Sequence, residues 1–175
     1  MRTNPNIIIT GTPGVGKTSH AEAVAEATGL KHIQINKFAE ENGCYDGRDE
    51  ELGSWIVDED KLLDALEKEV PEGGYILDWH ACDLFPKSWI DLVVVIRCDS
   101  DILYDRLAAR KYNKKKLEEN MDAEIMQVLL EEARGAYDEQ QIVEIQSNKL
   151  EDLDENVGRM EAWVRLWKKD KQFGH

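Results

Sequence analysis

The feature that most constrains the fold is a glycine-rich octapeptide, Gly-Thr-Pro-Gly-Val-Gly-Lys-Thr, at residues 11–18. It directly follows the apolar run 7–10 and directly precedes the helix-forming stretch 19–27. The glycines let consecutive backbone N–H groups turn inward around a phosphate, and the N-terminus of the next helix adds partial positive charge. Because strand, loop and helix agree, the pattern indicates a phosphate-binding loop (P-loop) rather than an ordinary glycine-rich turn.

Two side chains at the end of the P-loop predict its chemistry. Lys17 is expected to reach the β- and γ-phosphates of a nucleoside triphosphate, and the Thr18 hydroxyl is expected to bind Mg²⁺. The sequence thus predicts a protein that binds a nucleotide with Mg²⁺. It leaves open which group receives the phosphoryl group.

Composition indicates the broad class. With 175 residues, 42% of them hydrophobic, the chain is long enough for one buried core, and one domain is expected. No apolar run of about 18 residues is present and no targeting segment is recognised, so we expect a soluble, intracellular protein without a membrane span. Cys44, Cys82 and Cys98 are spaced like neither a zinc site nor a disulfide framework, which predicts reduced thiols.

The net charge of −14 disfavours broad binding to nucleic acid. It either keeps the protein soluble or favours basic partners. The basic residues are concentrated near segments that the fold should bring to the phosphates, a distribution that suits a polyanionic ligand. They are Lys17, Arg97, Arg106, Arg110, Lys111 and Lys114 to Lys116.

Five apolar runs have the length of buried strands, and longer periodic segments between them predict helices. The runs cover residues 6–10, 32–35, 75–79, 91–97 and 141–146. This βαβ pattern predicts a parallel sheet with helices on both faces. One helix is expected from about 58 to 70, before Gly73-Gly74, and a last helix is expected to pack the apolar stripe of 157–167 on the core.

In such a sheet the ligand binds beyond the carboxyl ends of the strands. Asp78 ends an apolar strand, which is the Walker-B pattern for holding Mg²⁺ opposite Thr18, although a solvated or capping aspartate is the simpler alternative. His80 lies two residues later, on the same side of the chain if the strand alternation persists. It could orient the receiving group or a water, or equally be a structural histidine.

The segment after the fourth strand carries Arg106 and Arg110, four residues apart and so on one face of a helix. Guanidinium groups match phosphate oxygens, which favours a functional role, although Asp101 and Asp105 offer ion-pair partners. The basic segment 111–116 could form a minimal lid or a solvated turn.

Several longer strings resemble one family. They are residues 11–18, Tyr45-Asp46-Gly47, the string Asp-Trp-His-Ala-Cys-Asp-Leu-Phe-Pro at 78–86, residues 110–113 and Ser147-Asn148-Lys149. Together they resemble the adenylate kinase isoenzyme 6 family of nuclear adenylate kinases and small-subunit ribosome assembly ATPases. The match runs almost from end to end, and the strings at 78–86 and 147–149 are more specific than the P-loop.

The resemblance implies the α/β fold of a P-loop NTPase of the nucleoside monophosphate kinase type. That fold has a five-stranded parallel sheet with helices on both faces and a short lid. Residues 1–175 would form one domain, with a monophosphate-binding region at about 34–57 and the lid at about 109–119.

The resemblance also implies roles for individual residues. Arg110 would clamp the phosphates of ATP from the lid, Lys149 would lie beside the adenine, and His80 would take part in catalysis and face AMP. Lys37 would bind AMP, although it is a departure, since nucleotide kinases generally have an arginine in this helix to bind the monophosphate. The residues expected to hold the ATP phosphates are Gly14, Val15, Gly16, Lys17, Thr18 and Ser19; those expected to be catalytic are Lys17, Asp78, His80, Arg106 and Arg110; Thr18 and Asp78 would bind the metal.

The function implied is the reaction of ATP with AMP to give two ADP, with Mg²⁺, together with ATP hydrolysis. The resemblance further implies binding to the basic ribosomal protein uS11 and to pre-ribosomal particles, during small-subunit maturation in nucleus and cytoplasm. A monomer without sequence-specific nucleic-acid or membrane binding is expected. Two alternatives stay open: an assembly factor that mainly hydrolyses ATP, and a P-loop kinase of another small metabolite.

Overall fold

The computed structural model describes residues 2–172. The ends of the expected domain, residue 1 and residues 173–175, lie outside the described residues. In chain order the elements are β1 (Ile7–Thr10), α1 (Lys17–Thr28), β2 (Lys31–Gln34), α2 (Ile35–Glu41), β3 (Tyr45–Asp49), β4 (Ser54–Val57), α3 (Glu59–Leu66), β5 (Tyr75–Asp78), β6 (Leu92–Arg97), α4 (Ser100–Ala109), α5 (Lys114–Ile125), α6 (Val128–Ala136), β7 (Ile142–Gln146) and α7 (Leu150–Gln172).

Five of these strands form a parallel sheet in the order β2-β5-β1-β6-β7. The central strand is β1, in which Ile8 lies opposite Leu77 of β5 on one side and Val93 of β6 on the other. Because all five strands run the same way, their carboxyl ends meet at one edge of the sheet. The predicted five-stranded parallel sheet is confirmed.

Both faces of the sheet are covered, which explains why β1 is apolar at successive positions. Ile8 faces a core that includes residues of α3 and α6, whereas Ile7 and Ile9 face a second core with α1, α4 and α7. All three isoleucines are fully buried. Met160 and Val164 of α7 are buried in the second core, so the prediction that the last helix packs on the core is confirmed.

Some predicted boundaries were wrong for local reasons. Ile35 begins α2 instead of ending β2, because the Gln34 side chain accepts a hydrogen bond from Lys37 N and caps the helix. The helix predicted over 58–70 ends at Leu66, and a 3-10 turn follows at Val70–Glu72. Pro71 within that turn lacks the N–H that a continuing α-helix needs.

The three cysteines are free and buried, as predicted. Burial raises the pKa of the Cys82 thiol to about 12 and that of the Cys98 thiol to about 11. Both thiols are therefore protonated and unreactive at neutral pH. Among residues 2–172, none of the helices combines the length and the apolar composition that a membrane span requires.

The side chain of Asn6 forms hydrogen bonds at the edge of the sheet that lies opposite the carboxyl ends of the strands. Its buried side-chain Nδ2 donates to Val70 O at 2.6 Å and to Trp89 O at 2.9 Å, and its Oδ1 accepts from Tyr75 N at 3.0 Å. These contacts join β1 to the segments that lead into β5 and β6. One side chain thus supplies hydrogen bonds to three backbone groups; of these, Val70 O also accepts a backbone hydrogen bond from Gly73 N.

We predict that Asn6→Ala lowers the free energy of unfolding by about 3 kcal/mol, because it removes three hydrogen bonds and leaves Trp89 O and Tyr75 N without the Asn6 side chain. Chemical denaturation measures the change. The matched control is Asn42→Ala, which removes one exposed bond to Phe38 O and should cost about 0.5 kcal/mol or less. Equal losses for the two variants would contradict the role of Asn6.

Candidate active site

A cavity of about 670 Å³ lies at the carboxyl edge of the sheet, a volume typical of small-molecule sites. The P-loop and the ends of β2 and β5 form its floor. The start of α2 and the β3–β4 hairpin form one wall, here called the acceptor wall, with Asn36, Tyr45 and Trp55. Residues of the α4–α5 turn and of α5 form the opposite wall.

The P-loop leads into the first turn of α1 through backbone conformations that glycine adopts readily. Gly14 and Gly16 have φ angles of 97° and 102°, which lie in the left-handed region that a side chain disfavours. A Cβ at Gly14 would also lie 3.0 Å from Leu103 and from Leu107. The loop therefore needs glycine at position 14 both for its φ angle and for its contact with α4.

Among the residues predicted to hold ATP, Gly14, Gly16, Lys17, Thr18 and Ser19 line the cavity. The Lys17 ammonium donates to Gly11 O at 2.9 Å, so it folds back over the loop. Val15 is fully buried, and its side chain packs in the core with α4. Any contact of Val15 with a phosphate would come from its backbone.

Thr18 and Asp78 meet as the Walker-B pattern predicted. Thr18 Oγ1 donates to Asp78 Oδ2 at 2.8 Å, and His32 Nε2 lies 3.0 Å from the same oxygen. A hydroxyl and a carboxylate are hard oxygen ligands of the kind that Mg²⁺ prefers, usually with few protein ligands and several from phosphates and water. The pair fits such a cation, and no cluster of three or more acidic, His or Cys ligands occurs within the described part of the chain.

His32 was not singled out from the sequence. It lies on β2 opposite Ile76, two residues before Gln34, which pairs with Asp78. Alternation along paired strands puts His32 and Asp78 on one face of the sheet. The strand order is needed for that deduction, because it alone makes β2 and β5 neighbours.

Basic side chains are concentrated in the cavity, and they contribute to lowered pKa values of residues that line it. Burial and the neighbouring Arg110 lower the pKa of Lys17 to about 8, although Asp78 acts in the opposite direction. The His80 side chain is exposed to the cavity, and the protein around the cavity partly desolvates its ring. This desolvation, with the charges of Lys17 and Lys116, lowers the pKa of His80 to about 4. At pH 7 His80 is neutral and can orient a polar group, whereas Lys17 is mostly protonated.

The other predicted residues lie at different places. Arg110 lines the cavity. Arg106 lies behind the P-loop, where Nη1 donates to Gly14 O and Val15 O at 3.3 and 3.5 Å. Lys37 is exposed on α2, and Lys149 is exposed between β7 and α7; the described lining of the cavity includes neither of them.

The α4–α5 turn reaches the acceptor wall. Asn113 Nδ2 donates to Glu51 O at 3.1 Å, and Lys115 forms an ion pair with the Glu51 carboxylate. Asn113 also caps α5, since its side chain accepts from Lys116 N, and α5 consequently begins at Lys114 within the basic segment 111–116. The turn thus bridges the mouth of the cavity between its two walls.

Comparison with known proteins identifies the family. Residues 7–127 match the family model described as AAA domain. The adenylate kinase isoenzyme 6 homolog of Schizosaccharomyces pombe is 49% identical over 166 residues, which cover 95% of each chain. The homolog of Saccharomyces cerevisiae is 50% identical over 167 residues, which cover 95% of this chain and 85% of the relative. This chain belongs to the adenylate kinase isoenzyme 6 family.

Solved structures extend the similarity to other P-loop kinases. The shikimate kinase of Bacteroides thetaiotaomicron superimposes with a TM-score of 0.63 at 19% identity, over 92% of this chain and 98% of that one. A gluconokinase of Sinorhizobium meliloti gives 0.58 at 19% identity over 99% of both chains. At this identity the similarity concerns the fold alone, and it confirms the predicted P-loop kinase fold. The family and the fold together show that this protein is an adenylate-kinase-like P-loop kinase.

We predict that Lys17→Ala raises the Kd of ATP with Mg²⁺ at least tenfold, because a charged hydrogen bond to phosphate contributes about 1.5–3 kcal/mol. Isothermal titration calorimetry measures the change. Lys61→Ala is the control, since Lys61 is exposed on α3 and should leave the affinity unchanged. An unaltered affinity in Lys17→Ala would rule out contact between Lys17 and the phosphates.

Proposed function

We propose that this protein transfers the γ-phosphoryl group of ATP to AMP, giving two ADP, and that it also hydrolyses ATP slowly. One observation carries the proposal: the P-loop and the acceptor wall line one continuous cavity. Hydrolysis alone needs a site for the phosphates and a water. A second wall with its own polar and aromatic side chains supports binding of an acceptor molecule.

The chemistry of the acceptor wall favours a nucleotide over a smaller metabolite. The rings of Tyr45 and Trp55 are stacked, with centroids 5.2 Å apart and planes at 14°, and both line the cavity with Asn36. Aromatic rings suit the flat face of a nucleobase, and an amide side chain can donate to or accept from its edge. A sugar acid would leave this apolar surface without a matching partner.

Phosphoryl transfer to AMP needs little acid–base catalysis. The second pKa of a phosphate monoester is about 6, so the attacking oxygen is already ionised near neutral pH. What remains is positioning and stabilisation of charge, which Lys17 and Arg110 provide beside the phosphates. Bound Mg²⁺, held by Thr18 and Asp78, would neutralise charge on the phosphate oxygens.

Hydrolysis needs a held water, and His80 is well placed for this role. It lies in the cavity with Lys17 and Asp78. With its pKa lowered to about 4 by desolvation and nearby cations, the imidazole is too weak a base to remove a proton efficiently at pH 7. We therefore assign His80 the orientation of the water rather than its deprotonation.

A role in maturation of the small ribosomal subunit is also proposed, in nucleus and cytoplasm and with the protein as a monomer. The net charge of −14 supports binding of a basic partner, for which we propose the ribosomal protein uS11 within pre-ribosomal particles. In that role ATP hydrolysis would accompany the release of the partner.

The reaction is tested by following ATP consumption with Mg²⁺, with and without AMP, while ADP and inorganic phosphate are resolved. We expect AMP-dependent formation of ADP without phosphate, and a slower release of phosphate without AMP. Lys17→Ala is the matched control and should lose both activities. Consumption stimulated by shikimate or gluconate but not by AMP would instead identify a metabolite kinase. A change in phosphate release on addition of purified uS11 tests the proposed partner.

We predict that His80→Ala lowers phosphate release about tenfold and leaves the Kd of ATP within about twofold, because it removes the group that orients water but no contact with the P-loop. His80→Asn should retain more activity, since an amide can also orient a water. Steady-state phosphate release and calorimetry separate the two effects. The role assigned to His80 fails if His80→Ala and the unmodified protein release phosphate equally fast.

A further inference from the structure

The last turn of α5 carries a buried carboxylate that none of the roles above involves. Glu124 is 3% exposed. Its Oε1 accepts a hydrogen bond from Thr12 Oγ1 at 2.9 Å, and its Oε2 accepts from Arg97 Nε at 2.7 Å and from Cys98 N at 3.2 Å. One side chain therefore joins the P-loop, the end of β6 and α5.

The negative charge of Glu124 is balanced by the neighbouring guanidinium group of Arg97. Arg97 pairs with the carboxylate, and its Nη2 also donates to the backbone oxygen of Glu124 at 2.8 Å. Because an unpaired buried charge is costly, a carboxylate with charged and neutral donors from two other segments, the P-loop and the end of β6, has little freedom to move. An exposed ion pair would not hold its partners in one geometry in this way.

Thr12 is the point where this network reaches the cavity. It lies within the P-loop, is itself almost fully buried, and lines the cavity. Its hydroxyl ties the first part of the loop to α5, the helix whose residues Lys116, Glu119, Asn120 and Ala123 form part of the opposite wall. The position of the loop and the position of that wall are therefore linked through one hydrogen bond.

We propose that Glu124 is a positioning residue that holds the P-loop, through Thr12, in the conformation that receives the phosphates of ATP. Glu124 touches no nucleotide in this role. A loop fixed in advance loses less conformational entropy when the ligand binds, which raises affinity. The inference rests on the proposed function only in that the P-loop binds ATP, and it is independent of the acceptor.

The test removes the hydroxyl of Thr12 without altering charge. Thr12→Val deletes the bond to Glu124 and keeps the shape of the side chain, whereas Thr12→Ser keeps the hydroxyl. Thr10→Val is the matched control, because Thr10 is also fully buried and its hydroxyl has no hydrogen-bond partner among residues 2–172. It makes the same chemical change two residues away without breaking a bond.

We expect Thr12→Val to raise the Kd of ATP with Mg²⁺ about tenfold, as loss of one hydrogen bond to a charged acceptor predicts. Thr12→Ser and Thr10→Val should stay within about twofold of the unmodified protein. Amide hydrogen exchange without nucleotide gives a second readout: residues 11–16 should exchange faster in Thr12→Val but not in Thr10→Val. A purely structural role would alter the unfolding midpoint without this local change in exchange.

The inference is overturned if Thr12→Val binds ATP as tightly as Thr10→Val, or if Thr12→Ser is weakened as much as Thr12→Val. Should Thr12→Val not fold, Thr12→Ala deletes the same bond without the added methyl group and is measured instead. Failure of the unmodified protein to bind ATP would count against the proposed function itself. Normal binding by the unmodified protein with no effect of Thr12→Val would count against the positioning role alone.

Discussion

The site depends on the parallel pairing of β1 with β5 and β6. Parallel pairing brings the carboxyl ends of the three strands to one edge, where the P-loop follows β1, Asp78 ends β5 and Arg97 ends β6. The register is tightly specified, since β1 is buried on both faces and a shift by one residue would exchange the side chains between two different cores. The 2.8 Å contact between Thr18 and Asp78 is a direct consequence of that register.

Basic side chains are gathered in the cavity of a protein that is otherwise acidic. The chain is strongly acidic, with a net charge of −14, yet Lys17, Arg110 and Lys116 lie along one cavity. Desolvation, and then the charges of neighbouring cations, lower the pKa values of Lys17 and His80. An entering polyphosphate offsets both effects at once. A set of cations that is unfavourable in the free protein therefore becomes favourable when the ligand binds.

The sequence predicted the sheet and the floor of the site because both depend on local patterns. The P-loop string and the apolar runs each fit within a few residues, and Asp78 directly ends such a run. The β3–β4 hairpin was missed, since residues 46–51 are mostly charged and show no alternation. Tertiary packing forms this hairpin, with Tyr45 stacked on Trp55.

His32 and Glu124 show why the rest of the site could not be predicted. His32 is 46 residues from Asp78 in the chain, and Glu124 is 112 residues from Thr12. Neither belongs to a spaced motif, and each acquires its partner only when particular strands and helices become neighbours. Arg106 shows the converse: its spacing from Arg110 indicated a phosphate contact, whereas its position places it against the backbone of the P-loop.

The two ends of α5 connect the acceptor wall with the P-loop. Near its start, Lys115 pairs with Glu51 of the acceptor wall, and near its end Glu124 holds Thr12 of the P-loop. Twelve residues of helix span about 18 Å with little freedom to bend. Under the proposed positioning role, a ligand that orders the acceptor wall also favours the ordered P-loop, and linkage makes the effect reciprocal. Such coupling suits a transfer between two bound nucleotides better than hydrolysis, because it favours the complete site only when both substrates are present.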